Sequence, residues 1–312
     1  MQNIQEIIAM KRCKFILTYF IITILFNQSL KAQQFQSNTE LGAIIGTSYY
    51  LGDLNTSHFN ESSTAAGLTI RENIDRRFVY KAQAMFLNIK SDERDSDDTI
   101  ALDRGLHFKS PVYEISGQLE FNFLPYQPGN PLYTWTPFIY TGLSIFNFNP
   151  KAENQNGEWV NLQELGTEGQ GTTTYPQRNK YSLIQFAIPM GGGLKIAVNE
   201  SFNILIEYGI RKTFTDYLDD VSTTYPGSNL VDMSNEAIYM SDPQGTHLKD
   251  DQRGDDTKKD WYSFAGITLS FKLDKRIAEA VEILRVFIPS PPVPHVSIQF
   301  LIFTLFDLFL NT

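Results

Sequence analysis

Hydrophobic and polar residues alternate along most of the chain between about residue 40 and residue 273. In the clearest segment, Trp261–Leu273, one set of alternate positions reads Trp, Ser, Ala, Ile, Leu, Phe, Leu. A period of two residues is typical of a β-strand. Helical periodicity is nearly absent before residue 275. We therefore predict an all-β protein.

Eight segments show this alternation, and most are longer than the five or six residues that are usual in soluble proteins. A strand that crosses a membrane needs about 9–11 residues. Within the sixth segment, Pro189 and Gly191–Gly193 predict a bulge or a sharp bend. The eight segments lie near residues 40–51, 63–72, 77–89, 111–124, 136–148, 182–198, 202–214 and 260–273.

The connections between these segments alternate in length. Long connections follow the first, third, fifth and seventh segments, and shorter ones follow the second, fourth and sixth. Outer-membrane barrels have this pattern, with long external loops and short periplasmic turns. No internal stretch reaches the 18 apolar residues that indicate a membrane helix. We predict an eight-stranded antiparallel transmembrane β-barrel in the outer membrane, with lipid as its surroundings.

Charged residues at predicted inward positions are candidates for ion pairs in the lumen. The interior of an eight-stranded barrel is just wide enough for side chains to fill it, and buried charges are tolerated when they are paired. An ion or proton path is the alternative interpretation. The candidates are Lys81, Glu114, Glu120, Lys195, Glu207 and Arg211.

The N-terminal segment has the composition of a secretory signal peptide. Three basic residues in 11–14 precede an apolar run over residues 15–26, and a small residue, Ala32, follows. The run is too short for a membrane span. Cys13 is the only cysteine of the chain and precedes the run, so the chain after residue 32 has neither disulfides nor thiolate metal sites.

Charge and motifs exclude several function classes. Without residues 1–32, 22 basic and 34 acidic residues remain, which argues against nucleic acid as a partner. The four histidines are scattered over predicted loops and the tail, and no motif of a serine hydrolase, P-loop protein or zinc protease is present. We predict a protein that is not an enzyme and holds no cofactor or metal.

Two long connections are acidic, over residues 91–98 and 249–260. Clustered carboxylates suit divalent cations or a basic partner. No EF-hand spacing is present, and the prediction is a pair of solvated, charged loops.

The first predicted strand ends on the sequence SYYLGDLN, residues 48–55. Consecutive strand residues point to opposite faces. Tyr49 is therefore expected to face lipid in an aromatic girdle, and Tyr50 to face the lumen. Gly52 and Asp53 are expected to turn the chain into the first external loop.

These residues resemble a known family. The stretch ELGAIIGTSYYLGDLN (40–55), which includes Tyr49, Tyr50, Gly52, Asp53 and Asn55, is similar to the opening of PorG-type proteins of the type IX secretion system in Bacteroidetes. The likeness extends over about residues 32–274. It includes the segments TPFIYTGLSIFNFNP (136–150), SLIQFAIPMGGGLKI (182–196) and ILIEYGIRKTFTDYLDDVS (204–222).

The resemblance implies a non-catalytic barrel that anchors or scaffolds part of the secretion and gliding machinery and associates with its periplasmic ring components. The sequence as a whole predicts three regions: a signal peptide over 1–32, the barrel over 33–274, and a C-terminal tail of unknown role over 275–312, which departs from the family pattern. A small porin-like or adhesin-like barrel acting alone is the alternative. The candidate periplasmic contacts are Arg71, Arg76 and Arg77 in the first short turn, for which anchoring at the membrane interface is the other interpretation.

Overall fold

The computed structural model describes residues 37–94, 96–228 and 230–273. The predicted signal peptide over 1–32 and the tail over 275–312 lie outside the described residues. The strands are β1 Asn38–Leu51, β2 Ser63–Asn73, β3 Phe78–Asp92, β4 His107–Asn122, β5 Trp135–Phe148, β6 Lys151–Glu153, β7 Trp159–Asn161, β8 Ile184–Ala197, β9 Phe202–Thr213 and β10 Trp261–Lys272. The helices are α1 Thr99–Arg104, α2 Leu162–Leu165 and α3 Asn235–Ser241.

Eight long antiparallel strands form a closed barrel. The order β3-β2-β1-β10-β9-β8-β5-β4 is closed by pairing between β3 and β4. Because the barrel is closed, each of the eight strands pairs with a neighbour on both sides, as a barrel in hydrocarbon requires. The predicted fold, an eight-stranded antiparallel transmembrane barrel, is confirmed. The short strands β6 and β7 form a hairpin beside β4.

The outer wall of the barrel is apolar. Aromatic and aliphatic side chains at outward positions of all eight strands are exposed. In water the exposure of so many apolar side chains would be unfavourable. In a membrane barrel the same positions contact lipid. The exposed set includes Leu41, Ile45, Leu68, Tyr80, Phe86, Tyr113, Ile115, Trp135, Ile139, Leu143, Phe186, Ile196, Ile206, Ile267 and Phe271.

The two ends of the barrel differ. At one end, the short-turn end, the connections are residues 74–77, 123–134 and 198–201, and β1 begins and β10 ends there. At the other, the long-loop end, the connections are residues 52–62, 93–106, 149–183 and 214–260. All three helices and the β6–β7 hairpin belong to these long loops. Within the described ranges, none of the helices has the length and hydropathy of a membrane span.

Glycines in the wall make room for aromatic rings in the lumen. A Cβ atom on Gly209 would lie 1.9 Å from the hydroxyl oxygen of Tyr140, and one on Gly191 would lie 2.7 Å from it. The ring of Phe264 lies in the same way against Gly46 and Gly266. Rings from neighbouring strands therefore pack closely against the wall at these glycines.

The predicted bulge in the sixth long strand is wrong. The register of β8 against β9 is unbroken from Ala187 to Ala197. Against β5, the pairing stops after Met190 and resumes at Ala187 in the same register. Pro189 therefore interrupts the hydrogen-bond ladder on one side because it has no N–H, but it inserts no extra residue.

Substituting Gly209 by alanine is expected to destabilise the barrel by about 1–3 kcal/mol, because the added methyl group overpacks the lumen against Tyr140. Urea unfolding in detergent micelles measures the change. The matched control is Gly117→Ala, since a Cβ there meets no atom within 4 Å. Equal stability of the two variants would contradict close packing at Gly209.

Candidate functional site

The lumen holds a network of buried ion pairs centred on Glu207. Its carboxylate accepts hydrogen bonds from the guanidinium of Arg71 and, at 3.3 Å, from Nζ of Lys81. The hydroxyl of Thr268 donates to the same carboxylate at 3.3 Å. All three charged residues are almost entirely buried, so each charge depends on its partners in the network.

A second carboxylate extends the network towards the short-turn end. Glu120 accepts a hydrogen bond from Lys195 and lies 3.6 Å from Nε of Arg71. Arg71 thus links Glu120 to Glu207. Nearer that end, Glu40 accepts hydrogen bonds from Asn73 at 2.7 Å and Ser270 at 2.8 Å.

The third part of the network lies nearer the long-loop end. Arg211 donates to both oxygens of Glu114, at 3.1 and 3.3 Å, and this bidentate geometry is the strong form of the pair. The hydroxyl of Tyr262 donates to Glu114 at 2.6 Å. The ring of Tyr140 lies 3.9 Å from Nζ of Lys81, in the range of a cation–π contact.

The structure therefore places all six predicted lumen residues inside the barrel, where they form the ion pairs Lys81–Glu207, Lys195–Glu120 and Arg211–Glu114. Among the described residues the lumen holds four buried cations and four buried carboxylates, so their charges balance. The cations are Arg71, Lys81, Lys195 and Arg211, and the carboxylates are Glu40, Glu114, Glu120 and Glu207.

The assignment of Arg71 to a cluster in the first short turn is wrong. Arg71 points inward from β2 and is buried in the lumen, because its position has the inward parity of that strand. Arg76 and Arg77 do lie in the turn. Nε of Arg76 donates to Gln127 at 3.0 Å, and Arg77 donates to the carbonyl of Phe123 at 2.6 Å. Both arginines thus brace the turn over residues 123–134.

At the long-loop end the loops fold into a compact cap with its own apolar core. Buried apolar residues of the loops pack in one cluster with buried apolar residues of the barrel strands at this end. Most of the described acids of residues 91–98 and 249–260 are exposed, as predicted for solvated loops, whereas Glu93 and Asp260 are buried in the cap. The apolar core of the cap includes Leu54, Leu106, Ala152, Leu162, Leu218, Val221 and Met240.

Tyr50 joins the barrel to the cap. Its ring packs edge-on against Phe108 with centroids 5.0 Å apart. Its hydroxyl lies 2.5 Å from Oδ2 of Asp219 and 3.0 Å from Oδ1 of Asp260. The other oxygen of Asp219 accepts from the backbone N–H of Val221. Tyr50 thus contacts both ends of the loop over residues 214–260.

The rest of the first motif supports this contact. A Cβ on Gly52 would lie 2.0 Å from Oδ1 of Asp260 and 2.1 Å from the hydroxyl oxygen of Tyr50, so only glycine fits there. The carboxylate of Asp53 accepts from the backbone N–H of Asp255 at 3.1 and 3.2 Å. The amide of Asn55 donates to the carbonyl of Tyr50 at 2.6 Å.

Tyr49 has the predicted outward orientation but does not face lipid. It is buried, because the first long loop covers it. Its hydroxyl hydrogen-bonds His58 at 2.9 Å and the hydroxyl of Tyr208 at 2.7 Å. The expectation that Tyr49 is an exposed girdle residue is therefore wrong.

Glu168 holds the two largest loops together. Its buried carboxylate accepts from the backbone N–H groups of Ser222 and Thr223 and from the hydroxyl of Thr223. Arg253 donates to it at 3.1 Å and also donates to the carbonyl of Asp220 at 2.6 Å. Sequence reasoning missed Glu168, because no periodicity marks an acid in a long loop as buried.

Acids outnumber basic groups in the cap. Its buried carboxyls belong to Glu93, Glu168, Asp216, Asp219, Asp220 and Asp260. The paired cations are Arg253, on Glu168, and Arg104, on Glu93. Protonation of some of these buried carboxyls can neutralise the excess negative charge.

Burial raises the pKa of several of these carboxyls. It raises the pKa of Asp216 and of Asp220 to about 6. Burial and the mutual repulsion of Asp219 and Asp260 raise the pKa of Asp260 well above its usual value. The geometry agrees, because Tyr50 has one hydroxyl hydrogen and faces two carboxyl oxygens. A proton on one carboxyl satisfies the second contact.

The part of the cap that the structure describes contains no group of side chains arranged to hold a metal ion. None of its His, Cys, Asp and Glu side chains form a group of three that could hold a metal ion. Nδ1 of His247 lies 2.9 Å from Asp242 and 3.4 Å from the hydroxyl of Thr246. The hydroxyl and the carboxylate approach the same nitrogen, so His247 does not relay a proton between them.

A family profile matches most of the chain. The family described as "Domain of unknown function (DUF6089)" matches residues 14–278. The chain belongs to the DUF6089 family. The match spans the whole barrel and its cap. Among curated proteins, none matches this chain.

Solved barrels resemble this DUF6089 protein in fold. Neisserial surface protein A has 9% sequence identity and a TM-score of 0.39, with 77% of this chain and 100% of that chain covered. The N-terminal β-barrel domain of OprF from Pseudomonas aeruginosa has 11% identity and a TM-score of 0.35, with 76% and 100% covered. Ail of Yersinia pestis has 9% identity and a TM-score of 0.36, with 77% and 100% covered.

Replacing Glu207 by glutamine is expected to lower the free energy of unfolding by about 3–5 kcal/mol, because Arg71 and Lys81 lose their shared buried carboxylate. Urea unfolding in micelles measures the loss. The control is Lys258→Ala, which removes an exposed pair with Asp255 and is expected to leave stability unchanged. A stable E207Q variant would show that the network tolerates an unpaired charge.

Substituting Asp260 by asparagine is expected to reduce the pH dependence of the cap. A carboxyl with a raised pKa in the folded state stabilises the fold at low pH, and that contribution is lost as the pH rises through the folded pKa. Wild type should therefore lose stability as the pH rises above about 4, the usual pKa of an aspartate, with the contribution of Asp216 and Asp220 lost by about pH 6 and that of Asp260 lost at higher pH. An amide at position 260 can still accept from Leu218 and can donate to Tyr50.

Urea unfolding at each pH tests this expectation as a difference between variant and wild type. D260N should gain stability over wild type as the pH rises. The exposed Asp256 of the same loop provides the control, D256N, whose difference from wild type should stay constant. A constant difference for D260N as well would mean that Asp260 is ionised in the folded protein at pH 5.

Proposed function

We propose that this protein is a non-catalytic structural component of the outer membrane that anchors part of a type IX protein secretion assembly. The observation that carries the proposal is the contact of Tyr50 with Asp219 and Asp260. Tyr50 lies in the stretch 40–55 and Asp219 lies in the segment 204–222, which are two of the segments that resemble PorG-type proteins. The contact supports a shared architecture, because the two segments lie far apart in sequence and meet in one cluster.

The filled lumen favours a structural role over a porin-like one. Buried ion pairs cross it around Glu207 and Glu120, and the aromatic residues Tyr140, Phe146 and Phe264 occupy much of the remaining space. The cap then covers the long-loop end. An aqueous channel would need the pairs to break, at the cost of unpaired buried charges.

The short-turn end offers a surface for a periplasmic partner. Apolar side chains are exposed on its turns, among them Ile74, Leu132 and Val198, at 42%, 81% and 54%. They lie in three different turns, and Arg76 and Arg77 brace the turn that carries Leu132. We place the contact with ring components of the machinery on this surface, called the turn surface below.

The test is complementation of a deletion strain of the source organism. Deletion should abolish secretion of type IX cargo proteins, and wild type should restore it. A Leu132→Ser/Val198→Ser variant should restore several-fold less secretion and bring down less of the periplasmic ring components in mild detergent. The control is Ile100→Ser/Leu248→Ser, which removes exposed apolar side chains from the cap and should restore secretion fully.

Other outcomes separate the alternatives. Normal secretion in the deletion strain would overturn the proposal. Normal secretion combined with loss of surface attachment in the cap variant would support an adhesin-like barrel. Full activity of the turn-surface variant, with the deletion strain defective, would place the partner elsewhere on the protein.

A further inference from the structure

The first long loop, residues 52–62, folds back along the outer wall of the barrel. We call this loop L1. The ring of Phe59 lies 5.0 Å from the ring of Tyr49 and 5.9 Å from that of Tyr208. Tyr49 is an outward residue of β1 and Tyr208 is an outward residue of β9, with β10 between them. L1 therefore crosses the outer face of β10.

The wall beneath L1 is lined by small side chains. Ser263 pairs with Tyr49, and Ala265 pairs with Tyr208, across the β10 ladders. Both point outward, and Ser263 is buried. Small residues at these two positions leave a shallow recess between the two tyrosines, and L1 occupies it.

Strand pairing fixes the height of L1 on the wall. One row of paired outward residues, on the side of the short-turn end, is Ile45, Ile267 and Ile206, which are all exposed. The row on the other side contains Lys212, paired with Trp261. Phe59 therefore lies at the border between the apolar wall and the first outward charge.

The backbone holds Phe59 outward in a costly conformation. Phe59 and Glu61 have φ angles of 61° and 48°, in the left-handed region that bulky residues rarely adopt. Glu61 fixes the loop to β3 by accepting from the backbone N–H of Asp92 at 2.9 Å. The side chain of Phe59 is nevertheless 58% exposed. In water more than half of this ring would remain exposed, in spite of its contacts with Tyr49 and Tyr208.

We propose that L1 is a membrane-interface clamp that inserts Phe59 into the bilayer at the long-loop end. Aromatic rings are favoured at this depth in membrane proteins. The hydrogen bonds among His58, Tyr49 and Tyr208 provide polar support beside the inserted ring. L1 is continuous with the apolar wall, and its partner is lipid. It covers the seam at which the first and last strands pair.

A nitroxide spin label measures the depth of Phe59 directly. The full chain carries Cys13→Ser, since Cys13 is its only cysteine, and a single new cysteine, Phe59→Cys. The labelled protein is reconstituted in phosphatidylcholine vesicles. Power saturation compares collisions with oxygen, which concentrates in hydrocarbon, and with a nickel chelate, which stays in water.

Two matched positions calibrate the measurement. Ile206→Cys lies in the apolar wall and Ile100→Cys lies in the cap, with native side chains 52% and 75% exposed. The label at position 59 should show an oxygen-to-nickel collision ratio several-fold above that at 100 and below that at 206. A ratio equal to that at 100 would overturn the proposal and leave Phe59 in water or free for a protein partner.

A second variant keeps the proposal testable if the Phe59→Cys protein does not fold. Phe59→Trp retains an aromatic ring at the same position. Lipids brominated near the headgroup should quench the added fluorescence of this variant relative to wild type. The control is Ile100→Trp, which should not be quenched. Equal lack of quenching in both variants would overturn the clamp.

Discussion

The closed barrel in hydrocarbon is the constraint on which the rest of the structure depends. Because lipid offers no hydrogen bonds, every strand must pair on both sides, and β3 must meet β4. Closure of only eight strands leaves a lumen that side chains must fill. The polar face of each strand then turns into a small interior, where the charges of Glu207, Arg71 and Lys81 are neutralised by one another and by Glu120. The buried ion network is thus a direct consequence of closure and of strand number.

Much of the fold could be predicted from the sequence, because alternation with a period of two is a local property. Strand parity also assigned Glu114, Lys195 and their partners to the lumen. The assignment of Arg71 was wrong because it followed its nearness in sequence to Arg76 and Arg77, although parity places it inward. For Tyr49 the parity was used correctly, but parity alone was not sufficient. Its outward parity was right, but no local pattern reveals that a loop folds down over it.

The cap was beyond prediction for a related reason. Its contacts join residues that are very distant in sequence: 169 positions separate Tyr50 from Asp219, and 85 separate Glu168 from Arg253. The long loops have no period that would mark Glu168 as buried, and an acidic composition is ordinarily that of a solvated surface. The carboxylate of Glu168 can be buried only because the folded loops bring its five hydrogen-bond donors together. The sequence alone does not show that these donors meet.

The amino-acid sequence of the first motif, residues 48–55, follows from the contacts between the cap and the barrel. Gly52 is required because any side chain would collide with the Tyr50 hydroxyl and with Asp260. Asp53 is required to accept from the backbone of residue 255, and Asn55 to hold the carbonyl of Tyr50. Each residue thus has a structural reason to be what it is, and none needs a ligand to explain it. The motif closes the cap onto the barrel, and a surface that recognises a protein partner is therefore to be sought on the turn surface, where apolar side chains remain exposed.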